Sequence, residues 1–169
     1  MRKLVIAAIL AAPAWAQAGG PIRADLIGYE EVPAVATRAG GTFEARVAQD
    51  NQSVSYTLSF GGLQGNVTQS HIHFAQKSVN GSIIVWLCGS ATNPGPAGTP
   101  ACPQQGTVSG TFTAANVGAS ATTQQLSAGD LASFIDAMES GIAYVNVHTT
   151  LSPGGEIRGQ LTARGESGK

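Results

Sequence analysis

Short segments that alternate apolar with polar residues recur along this chain, each ended by Gly, Asn or Pro. Thr42 to Ala48 sets Phe43, Ala45 and Val47 against Thr42, Glu44 and Arg46, so a strand there buries one face. Asp50-Asn51-Gln52 makes a turn, and Val54 to Phe60 returns with Val54, Tyr56, Leu58 and Phe60 on one side. The same pattern predicts strands over Arg23 to Ile27, Val67 to Phe74, Ile83 to Cys88, Thr107 to Thr113, Ala143 to Thr149 and Glu156 to Thr162. Asn80-Gly81 and Ser152-Pro153-Gly154-Gly155 supply turns between neighbours. About eight short strands at this spacing predict a mainly β sandwich or barrel. One short helix is predicted at about 128–140. There Leu131, Phe134, Ile135 and Met138 fall at i, i+3, i+4 and i+7, Ser127 is placed to cap the start, and Gly141 to close the end.

Composition narrows the class further. Of 169 residues, 43% are apolar and 11% charged, less than half the usual ~25% charged. A coiled coil would be rich in Glu, Lys and Arg, and a disordered tail would be poor in apolar residues; neither description holds. The formal charge is −1 with no basic run, so no stripe exists to neutralise nucleic-acid phosphates.

The first eighteen residues read as a secretory signal peptide. Arg2 and Lys3 precede an unbroken apolar stretch from Leu4 to Ala12, and Pro13 ends it. Small residues then suit cleavage after Ala16 or after Ala18. The stretch is too short to span a bilayer, and no later segment approaches that length, so no membrane span is expected. Export to a periplasm or to the cell exterior is the expectation. Loss of Arg2 and Lys3 from the 9 basic residues leaves 7 against 10 acidic ones, a mature charge of −3. Residues 164–169 read as a flexible polar tail.

Export gives the two cysteines a meaning. Cys88 and Cys102 enclose a segment of Gly, Pro, Ser, Thr, Ala and Asn. Zinc sites favour close C-x₂-C pairs, which this spacing lacks. A disulfide stapling a loop is the economical reading in an oxidising compartment.

All three histidines fall in predicted strands. His71 and His73 flank Ile72, so both leave one face, with Cα atoms roughly 6.6 Å apart. In the strand from Ala143 to Thr149, His148 alternates with Val145 and Val147. With Ile72, Val145 and Val147 in the core, the three imidazoles lie on the outward face of the sandwich. If the two strands are neighbours, ~5 Å apart, their nitrogens converge. Three imidazoles suit copper or zinc. Glu156, across the final hairpin from His148, is a candidate fourth ligand; Tyr144, Asn146 and Arg158 are candidates to surround the ligands. An H-x-H pair on a strand also often bonds only to loops or solvent, and strand adjacency decides between these readings.

Other signals are weaker. Glu30 and Glu31 can hold a cation, although adjacent acids on a loop are usually solvated. No serine lies in G-x-S-x-G. Gly61-Gly62 and Gly154-Gly155 lack the strand-to-helix context of a phosphate loop and read as turns. Trp86 and Tyr144 can stack a sugar if exposed.

Four blocks together resemble the CHRD domain family, the chordin-type module found in exported bacterial proteins. They are Ala24-Asp25-Leu26-Ile27-Gly28-Tyr29-Glu30-Glu31-Val32-Pro33, Ser70-His71-Ile72-His73, Ala143-Tyr144-Val145-Asn146-Val147-His148-Thr149, and Pro153-Gly154-Gly155-Glu156-Ile157-Arg158-Gly159-Gln160-Leu161. The resemblance covers about residues 22–163 and implies an immunoglobulin-like or Greek-key β-sandwich. It implies no activity. The H-x-H strand is similar also to the copper, zinc superoxide dismutases, but their two-metal site takes more histidines than the 3 present here.

The sequence therefore predicts an exported CHRD-type domain that binds copper or zinc through His71, His73 and His148, as a binder rather than a catalyst. The alternative is a protein- or glycan-interaction module whose histidines are structural. A dismutase-like redox enzyme is the third reading.

Overall fold

The computed structural model describes residues 20–163. The leader 1–18 and the tail 164–169 fall outside the described residues.

Nine antiparallel strands form: β1 (Ile22–Ile27), β2 (Gly40–Val47), β3 (Val54–Gly61), β4 (Val67–Phe74), β5 (Ser82–Gly89), β6 (Gly106–Phe112), β7 (Ala143–Thr149), β8 (Ile157–Gln160) and β9 (Thr162–Ala163). They run in the order β5-β4-β7-β8-β1-β2-β3-β6, with β9 beside β1. The two outer strands approach each other, so the sheet is nearly closed into a flattened barrel. Tyr56 on β3 helps close it by donating its hydroxyl hydrogen to the Leu87 carbonyl on β5 at 2.7 Å.

The mainly β fold expected from the alternation is what forms. In the β2–β3 hairpin Phe43 lies opposite Leu58 and Ala45 opposite Tyr56, all four buried. Asn51 takes the left-handed conformation that the turn requires, with φ 56°. The inward rows of β1, β2, β3 and β6 meet those of β4, β5 and β7 in one apolar core that includes Leu26, Phe43, Leu58, Ile72, Val85 and Val147. The predicted last strand is interrupted at Leu161, whose N–H turns to the Ala143 carbonyl.

The one α-helix among the described residues, α1 (Leu131–Glu139), is shorter than 128–140 and has a different cap. Asp130, not Ser127, accepts a hydrogen bond from the Ser133 N–H at 3.1 Å. Gly129, at φ 81°, breaks the helical path just before it. Leu131, Phe134, Ile135 and Met138 are buried as their spacing predicts. Gly141, at φ 72°, follows the last turn.

Cys88 and Cys102 are disulfide-bonded, pinning the loop that follows β5. Among the described residues no helix is long and apolar enough to cross a membrane.

Candidate metal centre

The strand register assembles the site. β4 lies between β5 and β7, which satisfies the adjacency that the histidine argument requires. Ile72 pairs with Val145 and Ser70 with Val147; Ile72 and the two valines enter the apolar core, and the buried Ser70 donates its hydroxyl hydrogen to the Asn146 carbonyl. Because side chains alternate along a strand, His71 and His73 leave the opposite face together. On that face His71 lies opposite Asn146, His73 opposite Tyr144, and His148 near Gln69. One cross-strand row then runs Trp86–His71–Asn146–Arg158 over β5, β4, β7 and β8.

This face is not open to solvent, which corrects the expectation of a surface site. His71 is 0% exposed, and His73 and His148 are each 6% exposed. Every residue of β7 is buried, on both sides of the strand. The cover consists of three loops, tied down by polar groups of the face itself. Arg158 donates to the Val79 carbonyl at 2.9 Å and to Asn80 Oδ1 at 3.2 Å. Asn80 in turn donates to the Val32 carbonyl at 3.0 Å, joining the loop after β1 to the loop after β4. His73 Nδ1 lies 3.0 Å from the Gly81 carbonyl, and His148 Nδ1 lies 2.9 Å from the Pro153 carbonyl.

Those two carbonyl contacts determine the tautomers. A carbonyl only accepts, so Nδ1 carries the proton in both rings and both Nε2 lone pairs are bare. His73 Nε2 is buried with no hydrogen-bond partner, and so is His71 Nε2. His148 Nε2 faces His71 Nδ1 at 3.2 Å and Asn146 Oδ1 at 2.9 Å. A proton on His71 Nδ1 satisfies the first contact, while the second brings two acceptors together. The ligand atoms of the three histidines all lie within 4.8 Å of one another.

Aromatic groups wall the cluster. Trp86, half-buried, meets the His71 ring edge-on at 4.3 Å between centroids. Tyr144 stacks on His73 at 4.6 Å and 1°. On Tyr144 lies the Arg158 guanidinium, 3.4 Å from the ring centroid. Burial first, and then the neighbouring His148 and His73, depress His71 to about 2, and burial depresses His73 to about 4. Burial lowers His148 as well. All three rings are therefore neutral, the form that ligates metal.

Glu156 does not join the histidines. It is fully buried, and its carboxylate accepts hydrogen bonds from Thr37 Oγ1 at 3.0 Å, the Gln64 N–H at 2.8 Å, Thr149 Oγ1 at 2.8 Å and the Gly65 N–H at 3.4 Å. Four donors saturate it, and it clamps the loops after β1 and β3 to the final hairpin. Alternation placed it on the correct strand end but could not show which donors would reach it.

Glu31 is the residue that sequence reasoning placed poorly. Expected as a solvated loop acid, it is 5% exposed and its Oε1 has no partner. Burial raises its pKa to about 7, against the opposing pull of Arg158 and of the Asn146 amide. Gly155, at φ 125°, packs directly on this carboxyl and on Asn146, where a Cβ would collide with both. The neighbouring Glu30 behaves as expected, pairing with Lys77 at the surface. Tyr144 is buried, so it offers no sugar platform.

Residues 22–161 match the family model of the CHRD domain. No curated protein and no solved structure matched the chain.

Proposed function

The chain belongs to the CHRD domain family, and we propose that it is an exported protein binding one copper or zinc ion through His71, His73 and His148. The observation that carries this reading is the convergence of three buried, neutral imidazoles whose Nε2 atoms at His71 and His73 have no partner. Unpartnered buried acceptors are costly, at about 1–3 kcal/mol each. A metal ion held by this histidine group would take up lone pairs that no protein donor reaches. Purely structural histidines would explain the Nδ1 bonds to Gly81 and Pro153 but not the bare nitrogens on the other side of the same rings.

In this reading the loop carbonyls orient the ligating rings, a common arrangement around metal-bound histidine. Asn146 offers its amide oxygen beside the ion, while Tyr144 and Arg158 hold the His73 ring flat. Such a site serves to hold or hand over an ion rather than to turn over a substrate.

The test is calorimetric titration of the chelator-stripped mature protein with copper and zinc, beside the His71→Ala/His73→Ala/His148→Ala variant. Stoichiometric binding at micromolar affinity or tighter, abolished in the folded variant, is expected. A folded wild type that binds neither metal overturns the reading.

A further inference from the structure

We infer that the ion this site selects is monovalent copper, Cu(I), in preference to Cu(II) or Zn(II). The inference rests on the metal site proposed above and concerns the charge and coordination number it accepts.

Charge favours a monocation. The three ligands are neutral imidazoles, so the full charge of the ion would remain on the complex. The free energy of moving an ion out of water grows as the square of its charge, and a dication therefore costs about four times as much as a monocation to bury. This site is deeply buried, with Trp86 against His71 and Tyr144 against His73.

No carboxylate belongs to the ligand group itself. Glu156 is saturated by Thr37, Gln64, Gly65 and Thr149. Glu31 lies against Gly155 beside the Asn146 amide, outside the group of ligand atoms. The Arg158 guanidinium, on the far side of Tyr144 from His73, adds positive charge to the neighbourhood.

Coordination number favours Cu(I) as well. Zinc takes four ligands, and its protein sites usually complete a three-histidine set with water or an anion. Cu(I), a closed-shell monocation, accepts three nitrogen donors. The group within 4.8 Å holds three histidines and no carboxylate. Asn146 Oδ1, 2.9 Å from His148 Nε2, is the nearest further donor in hydrogen-bond contact with a ligand atom, and it too is neutral.

The deciding experiment is an anaerobic competition of the mature protein for Cu(I) against bicinchoninate, run beside chelator competitions for Cu(II) and Zn(II). Cu(I) is expected to bind at least tenfold more tightly than either dication. A smaller margin, or the reverse order, overturns the inference and leaves the metal site standing. Binding of none of the three ions would instead overturn the site itself. Asn146→Asp supplies a second readout, because it places a carboxylate beside His148 Nε2. Its Cu(I) margin over Zn(II) is expected to shrink at least tenfold; an unchanged margin in the folded variant would show that charge does not set the preference.

Discussion

The rings of His73 and Tyr144 lie parallel, 1° apart in plane and 4.6 Å between centroids, with Arg158 resting on the other face of the tyrosine. This stack joins a candidate ligand on β4 to a buried cation on β8 across the intervening strand β7. Tyr144 also accepts a hydrogen bond from the Gly81 N–H at 3.4 Å. Tyr144→Phe keeps the stack and should cost about 1 kcal/mol. Tyr144→Ala opens a cavity and removes the ring over which Arg158 is buried, at a cost of about 3–5 kcal/mol. Urea unfolding of the metal-free variants checks both figures; equal losses would show that the ring plays no packing role.

Acid should unfold the metal-free protein by way of its histidines. Burial holds the folded values at about 2 for His71 and about 4 for His73, below the ordinary 6.5, and lowers His148 too. Their contribution is therefore present above pH 6.5 and is lost as pH falls through the folded values. Glu31 acts with the opposite sign. Its folded value of about 7 lies above the ordinary 4.5, so its contribution is full below pH 4.5 and is lost as pH rises through about 7. Between pH 5 and 6, unfolding takes up about two protons at His71 and His73 and releases about one at Glu31, a net slope of about 1 kcal/mol per pH unit to which His148 adds in the same direction. Denaturation series at pH 5, 6, 7 and 8 measure that slope, and Glu31→Gln should exceed the wild type in stability at pH 8 but not at pH 4.

Glu156 is a clamp, and its loss should separate stability from metal affinity. Glu156→Gln replaces a carboxylate that accepts from four donors with a group that brings two of its own hydrogens. A loss of at least about 2 kcal/mol is expected. Stoichiometric metal binding should survive in the folded variant, whereas a tenfold or greater fall in affinity without unfolding would restore Glu156 as a ligand.

The Cys88–Cys102 bond closes a loop that rests on Trp86, since a Cβ at Gly95 would meet the indole ring. Replacing both cysteines with serine should cost about 3 kcal/mol on the loop-entropy model. Because Trp86 in turn abuts His71, thermal melts and metal titration of this variant together show whether the loop stabilises the fold alone or the site as well.

Export predicts a processed N-terminus. Intact-mass measurement of protein recovered from the periplasmic or culture fraction should place the first residue at Gln17 or Gly19. Retention of Met1 in that fraction would contradict the reading.

Much of the architecture was legible because strand alternation has a period of two and is a local property. Phe43 and Ala45 against Leu58 and Tyr56 declare their buried side from spacing alone, and Asn51 marks the turn between them. The same periodicity put His71 and His73 on the face opposite Ile72. The helix cap was less legible: Ser127 and Asp130 are both good capping residues, and the positive φ at Gly129 decided between them.

What the residues by themselves determined was therefore the β fold, its hairpins and the side of each strand on which the histidines stand. Tertiary structure alone decided that β4 and β7 are neighbours, that three loops bury the outward face, that Glu156 is consumed by backbone and hydroxyl donors, and that Glu31 is buried in its place near Asn146. The physical reason is range. Alternation is set by the chain's own stereochemistry over a few residues, whereas burial and hydrogen-bond partners depend on groups as far apart in sequence as Gln64 and Glu156, which meet only when the sheet closes.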